Sequence, residues 1–246
     1  MFSFFTKKAF LVDSMENMID IHNHILPGID DGAKNIEESL SLIRYFKGIG
    51  VSRFICTPHI MGDYYPNTPA TINSSFLSLQ ERLNQQPDLN GISLQAGAEH
   101  MIDAQFETIL DNNEEVPLKD NYLLVETSFL QASINFKEAI NKVKTKGYFP
   151  VLAHPERYSY VNGSVNYQKI KDSGVYFQLN LLSIAGHYGP EVYNKSLKLL
   201  EENLIDFVGT DVHNANHFKS LKKARVPKKV LEQIKKLVDQ NNYHFD

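Results

Sequence analysis

Along residues 18–210, short apolar stretches bounded by polar turns alternate with segments whose apolar residues recur at helical spacing. Residues 18–22 read as a first strand. After a glycine-containing loop, a helix is predicted to begin near Asn35, with Glu37 and Glu38 in its first turn and Gly48 and Gly50 near its end. Further strands are predicted at 53–57, 92–98, 122–126, 149–153, 175–180 and 206–210, and further helices at 72–85, 136–146, 167–172 and 191–202. Seven strands with intervening helices point to a distorted, TIM-like (β/α)7 barrel, although a doubly wound open sheet would give the same alternation. No low-complexity linker interrupts the pattern, so one domain is expected over 18–246, preceded by an extension at 1–17.

The polar residues at the strand ends favour the barrel. His22 and His24 follow the first strand, His59 the second and Glu99 the third; Glu126 closes the fourth, His154 follows the fifth, and Asp211 and His213 follow the seventh. Metal-type side chains thus stand at the C-terminal ends of six strands, which converge in a parallel barrel and would be dispersed along an open sheet. His22 and His24 are two residues apart, on one face of an extended segment, and Asp211 and His213 repeat that spacing. Glu126 ends the apolar run 122–125, where a lone carboxylate would cost several kcal/mol or take up a proton. A cation would remove that cost. The competing readings are a surface acid for Glu99 and a core histidine for His154. No site role is expected for His100, which should face away from Glu99, for His187 or His217, or for His244 in a terminal tail.

Composition narrows the function classes. The 246 residues are 42% hydrophobic and 22% charged, and 25 basic against 29 acidic residues give a net charge of −4, no general reason to bind nucleic acid or anionic lipid. A single cysteine, Cys56, excludes an intrachain disulfide and a thiolate metal cage, and points to a reducing, cytoplasmic setting. Residues 1–12 are apolar but interrupted by Lys7 and Lys8, so they read as an amphipathic extension, with a membrane-surface role as the alternative. No transmembrane segment is expected. The basic run Lys219, Lys222, Lys223, Arg225, Lys228 and Lys229 reads as a solvated face, with docking of an acidic partner as the alternative.

From residue 18 onward the chain resembles the polymerase and histidinol phosphatase (PHP) family, and within it the bacterial protein-tyrosine phosphatases of capsule and exopolysaccharide synthesis. The resemblance rests on Asp20-Ile-His-Asn-His24, Asp30-Asp-Gly32, Thr57-Pro-His59, Gly97-Ala-Glu99, Val125-Glu126, Ala153-His-Pro-Glu-Arg157 and Asp211-Val-His-Asn214. It implies a seven-stranded barrel with three divalent ions. By that resemblance His22, His24, Glu99 and Asp211 would hold the first ion, and Glu99 would bridge to a second held also by Glu126 and His154. Asp31, His59 and His213 would hold the third, with Asp30 the alternative to Asp31. Nine nitrogen and oxygen ligands without sulfur suit Mn, Fe or Zn, and manganese is favoured by the resemblance.

The reaction so implied is hydrolysis of a phosphate monoester, in which a bridging water made acidic by two ions attacks phosphorus in line. Arg157 is expected to grip the phosphate with its guanidinium fork. Tyr64 and Tyr65 are expected to wall an aromatic substrate. The family often carries an arginine after the last histidine motif; here that loop reads Asn214-Ala-Asn-His-Phe-Lys219, so Arg157 grips the phosphate alone unless His217, otherwise without a site role, or Lys219 is the substitute. The implied partner is a phosphotyrosine protein such as a polysaccharide-synthesis tyrosine kinase. The alternatives are a small-molecule phosphatase acting on histidinol phosphate or a nucleotide, and a catalytically silent scaffold barrel.

Overall fold

In the computed structural model, residues 7–161 and 164–246 are described. The strands are β1 (Lys8–Phe10), β2 (Ile19–Asp20), β3 (Arg53–Cys56), β4 (His59–Ile60), β5 (Ser93–Ala96), β6 (Glu99–Met101), β7 (Tyr122–Glu126), β8 (Phe149–Ala153), β9 (Tyr176–Asn180), β10 (Phe207–Gly209) and β11 (Arg225–Pro227). The helices are α1 (Ile36–Lys47), α2 (Pro69–Asn84), α3 (Phe106–Asn112), α4 (Phe136–Thr145), α5 (Ser164–Asp172), α6 (Leu181–Ile184), α7 (Pro190–Glu201), α8 (Ala215–Lys223) and α9 (Lys228–Phe245). Their starts follow local chemistry. The Asn35 side chain accepts the Glu38 amide at the head of α1, and a Thr68–Thr71 capping box with Pro69 in the first turn opens α2. The longer helices then bury an apolar stripe; Leu40, Ile43 and Phe46 form that of α1.

The strands form a mixed α/β fold. β10-β9-β8-β7-β6-β4 make a six-stranded parallel sheet, and β2-β3-β5 a three-stranded parallel one. The two predicted strands over 53–57 and 92–98 are each longer than expected and broken, at 57–58 and at 97–98, so that β3 passes into β4 and β5 into β6. Hydrogen bonds cross these breaks: the Gly97 amide donates to Cys56 O at 2.8 Å and the Glu99 amide to Pro58 O at 3.0 Å. On the other side, the Asp211 amide donates to His22 O at 2.7 Å and the His24 amide to Val212 O at 3.0 Å, tying the segment after β10 to the segment after β2. Gly209 is required there, because a Cβ would lie 2.5 Å from the His22 Cβ.

The two ends of the strands differ in chemistry. Tyr122, Phe149, Tyr176 and Phe207, the first residues of β7 to β10, interlock as an aromatic plug with ring separations of 5.3 Å (Tyr122–Phe149) and 5.8 Å (Tyr176–Phe207). Phe245 of α9 closes it, 5.1 Å from both Tyr122 and Phe207. Between the two sheets Ile19, Ile21, Ile55, Leu124 and Val151 continue the apolar filling. Asn241 fastens α9 to both neighbours: its Nδ2 donates to Ile19 O and Val208 O, and its Oδ1 accepts the Val208 amide. His244 therefore belongs to an ordered helix rather than the expected tail, and is hydrogen-bonded to the Tyr122 hydroxyl at 2.9 Å.

The described part of the N-terminal extension is packed onto this body. β1 pairs antiparallel with β11, and Leu11 and Met15 are buried in the same cluster as Met18; residues 1–6 lie outside the described residues. Among the described residues, no helix is long and apolar enough to cross a membrane.

Candidate metal centre

At the opposite end from the plug, the strand ends bring the nine predicted ligand residues together. His22 and His24, both buried, point their Nε2 atoms at the same two carboxylates. His22 Nε2 lies 3.2 Å from Glu99 Oε2 and 3.5 Å from Asp211 Oδ1; His24 Nε2 lies 3.4 Å from each. Glu99 also faces His154 Nε2 at 3.0 Å and His59 Nδ1 at 3.2 Å, and His59 Nδ1 is 3.0 Å from Glu126. On the outer side, Asp31 Oδ1 lies 3.4 Å from His213 Nε2 and 3.6 Å from His59 Nε2. Ligand atoms within 4.8 Å of one another fall into overlapping sets, among them His24–Asp31–His59–His213, His22–His24–Glu99 and His59–Glu99–Glu126.

Two backbone conformations show that this convergence is imposed. His154 and Asp211 both have positive φ, 35° and 51°, in the left-handed region where a side chain other than glycine's is strained. His154 directly follows β8 and Asp211 lies two residues beyond β10, and each turns its side chain inward.

The donor atoms fit divalent cations. Glu99 Oε2, Glu126 Oε1 and His59 Nδ1 are buried without a hydrogen-bond partner, although His59 Nδ1 lies 3.2 Å from the first and 3.0 Å from the second. Buried acceptors left unsatisfied in this way are costly unless a positive charge sits among them. The electrostatics agree. Burial opposes a charge on His59, yet Glu126 and Glu99 beside it raise its pKa to about 9. Burial likewise opposes ionisation of Glu99, but His22 and His59 hold its carboxyl well below the usual range. The field in this pocket therefore favours positive charge.

The adjacent acids divide their work. Asp30 Oδ2 accepts from His24 Nδ1 at 2.8 Å and from the His59 amide, and its Oδ1 accepts the Gly32 amide, so it orients a histidine and a loop. Asp31 is half-exposed and faces the cluster. Sequence reading also missed other orienting groups. Gln178 Oε1 accepts from His22 Nδ1 at 2.7 Å, and Asn180 Nδ2 donates to Asp211 Oδ2 at 2.6 Å. Both come from β9, the strand with no predicted ligand; their alternate-residue spacing on a strand of a site-bearing sheet was the available signal. Glu156, fully buried, accepts the Asn180 amide and the Ser183 hydroxyl and so fixes the turn that carries Arg157.

A cavity of about 750 Å³ opens over the cluster. Arg157 lines it, donating from Nη1 to Asp211 Oδ2 at 2.8 Å, with its guanidinium 4.2 Å from the ring centres of both Phe129 and Tyr188. Tyr64 and Tyr65 line it too; Tyr65 stacks on His59 at 5.6 Å, while Tyr64 is 75% exposed. Lys219 is not brought there. It stands exposed on α8, whose Phe218 turns inward, and the α8 residue that lines the cavity is His217, the other candidate of that loop. His217 Nδ1 accepts the His213 amide. His100 is a core histidine as expected, bonded to Leu124 O and accepting the Val116 amide.

Comparison with known proteins agrees with this geometry. YwqE of Bacillus subtilis, a tyrosine-protein phosphatase, is 35% identical over 200 residues, covering 80% of this chain and 78% of its own. CpsB of Streptococcus agalactiae, also a tyrosine-protein phosphatase, is 31% identical over 205 residues, 80% of this chain and 83% of its own. A chain from the crystal structures of YwqE and of CpsB from Streptococcus pneumoniae, described as unique metal-dependent tyrosine phosphatases, superposes with a TM-score of 0.80. That pair is 31% identical and covers 93% of this chain and 94% of the other. A Listeria monocytogenes lactonase shares the fold alone, at a TM-score of 0.51 and 15% identity. The family model for capsular polysaccharide synthesis, CpsB/CapC, matches residues 18–243, and the chain belongs to that family.

Proposed function

We propose that this chain is a metal-dependent phosphatase of protein phosphotyrosine, acting in the control of capsular or exopolysaccharide synthesis. The observation that carries this reading is the cluster of buried carboxylate and imidazole atoms that face one another without hydrogen bonds under an open, aromatic-walled cavity. Its relatives, named tyrosine phosphatases, give the substrate class. In our reading the two parallel sheets, joined through residues 22–24 and 211–212, form one ring of seven strands, a distorted (β/α)7 barrel.

His22, His24, Glu99 and Asp211 would hold one ion, Glu99, Glu126 and His154 a second, and Asp31 and His213 a third, with His59 between the last two. We take the ions to be manganese, for which this mixed nitrogen and oxygen set is suited. Bound divalent ions would supply Lewis acidity toward the phosphoryl oxygens and activation of water. The protein's own groups do the rest. Arg157, held flat between Phe129 and Tyr188, presents fixed donors to phosphoryl oxygens. Tyr65 and Tyr64 border the space for the substrate's ring. Asp30, Gln178 and Asn180 fix the orientation of His24, His22 and Asp211 so that the site is formed before substrate arrives.

A scaffold without catalysis is disfavoured, because the unsatisfied buried acids would only destabilise it. The test is a kinetic panel with manganese comparing phosphotyrosine peptides, phosphoserine peptides and histidinol phosphate. The highest kcat/KM is expected for phosphotyrosine; a clear preference for histidinol phosphate would replace this reading with the small-molecule one.

A further inference from the structure

The cavity over the cluster has two unlike flanks, and the strand period sets the difference. β4 pairs with β6 in the register His59↔Glu99 and Ile60↔His100, and Met101 of β6 pairs with Glu126 of β7. Alternate residues of a strand share a face, so Met61 and Met101 stand on the side of His59 and Glu99, one step farther toward the cavity mouth. Ile60 and His100, between them, are buried in the core. Both methionines are half-buried and line the cavity, as does Leu130 in the segment after β7. Beyond β8 and β10 the lining residues are mainly polar, among them Arg157, His213 and His217. One flank is thus thioether and aliphatic, and the other carries the groups suited to a phosphate.

Hydrogen bonds hold the apolar flank in place. Met61 and Tyr65 exchange backbone bonds of 2.9 and 2.8 Å, closing the loop that carries Tyr64, and Asp103 Oδ2 accepts the Gly62 amide at 2.8 Å. On either side of Leu130, the Ser159 amide donates to Phe129 O at 2.9 Å and the Ser133 hydroxyl to Ile102 O at 2.6 Å. Yet Leu130 is 82% exposed and Tyr64 75%. Apolar side chains fixed in contact with water gain free energy when an apolar group covers them. The chemistry of the flank indicates which group. Methionine sulfur contacts aromatic rings favourably, and its unbranched chain adapts to the tilt of a ring. An aryl phosphate places a flat apolar ring directly beside the phosphoryl group. A phosphoserine would place one methylene and then backbone amides there, whose hydrogen bonds thioethers do not replace.

We infer that Met61 and Met101 are specificity-determining residues, seating the aromatic ring of an aryl phosphate on the β4–β6 flank, with Leu130 and Tyr64 at its outer edge and the phosphoryl group turned toward Arg157. The inference rests on the phosphatase reading above, and its test separates the two. Hydrolysis of phenyl phosphate with manganese is followed in the presence of phenylphosphonate or methylphosphonate, which share the phosphoryl group and differ in the ring. Phenylphosphonate should inhibit about tenfold more tightly. Met61→Ser and Met101→Ser should each shrink that ratio by about threefold or more, and Met101→Leu should keep most of it, with bound manganese unchanged in all three. Each ratio is taken on one protein, so a loss of folded fraction cancels; if one serine variant is inactive, the other decides. Equal inhibition of the wild type by the two phosphonates, or an unchanged ratio in an active serine variant, would overturn the inference while hydrolysis of phenyl phosphate leaves the phosphatase reading standing. No hydrolysis of phenyl phosphate at saturating manganese would overturn both.

Discussion

Replacing Arg157 separates two jobs that the structure gives to one side chain. Its guanidinium is clamped between Phe129 and Tyr188 and donates to Asp211 Oδ2, an oxygen otherwise held by Asn180. Arg157→Ala removes the charge-assisted contact to the substrate phosphate, about 1.5–3 kcal/mol, which corresponds to roughly ten- to two-hundredfold in kcat/KM. It also takes one partner from a buried carboxylate in the metal cluster, a loss that typically weakens metal affinity or activity about 10–100-fold. Arg157→Lys keeps the positive charge but loses the fork and the flat stacking, so kcat/KM should still fall by about tenfold or more. The assay is steady-state kinetics across a manganese titration, with bound metal measured in parallel. At saturating metal the Asp211 effect is compensated and the phosphate effect persists. If saturating manganese returns Arg157→Ala to wild-type kcat/KM, Arg157 acts only through Asp211 and its phosphate role is refuted.

Chelation should abolish turnover and lower the thermal midpoint together, since ions that bind only the folded state stabilise it and their removal leaves carboxylates facing one another; full activity after exhaustive chelation, with metal absent by elemental analysis, would contradict the metal reading. Glu99→Ala, which takes away a carboxylate facing four histidines, should reduce measured metal content by more than one ion per chain. Gln178→Ala should raise the manganese needed for half-maximal activity by about 10–100-fold with kcat at saturation little changed, because it orients His22 and touches no substrate. Cys56→Ser should keep its activity. The thiol is fully buried and burial pushes its pKa up, and the position where a thiolate-based phosphatase carries its arginine is Gly62. Only a stability loss of about 1–3 kcal/mol, read by denaturant unfolding, is expected from the buried hydroxyl.

The candidate cluster was legible because most of its members, Asp31 apart, stand at the end of an apolar strand, where the alternation of side chains forces a choice between core and site. Glu126 after 122–125 is the clearest case. What was not legible depended on contacts across the sheet. The Asp30–Asp31 ambiguity is resolved only by Asp30 reaching His24 and the His59 amide, 29 residues away in sequence. Gln178 and Asn180 look like ordinary polar residues until β9 is placed beside β8 and β10. The expected strands stop at the breaks, at 57 and 98, and miss β4 and β6 beyond them, since local pattern does not record where a ladder resumes. β1 was hidden for a similar reason: a three-residue strand is defined by its partner, and that partner lies more than 200 residues away.

The staple made by Asn241 and the stopper made by Phe245 set the order of events during synthesis. The bridge from Ile19 of β2 to Val208 of β10 is completed only after α9 has left the ribosome, because the groups that join those two residues come from residue 241. Pairings this distant in sequence are slow to form and leave unpaired edges in the nascent chain. The nine candidate ligand residues span positions 22 to 213, so the cluster comes together only on a nearly finished polypeptide. On the proposed reading metal acquisition would be a late event, and a ribosome-stalled fragment lacking α9 would expose histidines and acids that have no fixed geometry with which to choose among ions.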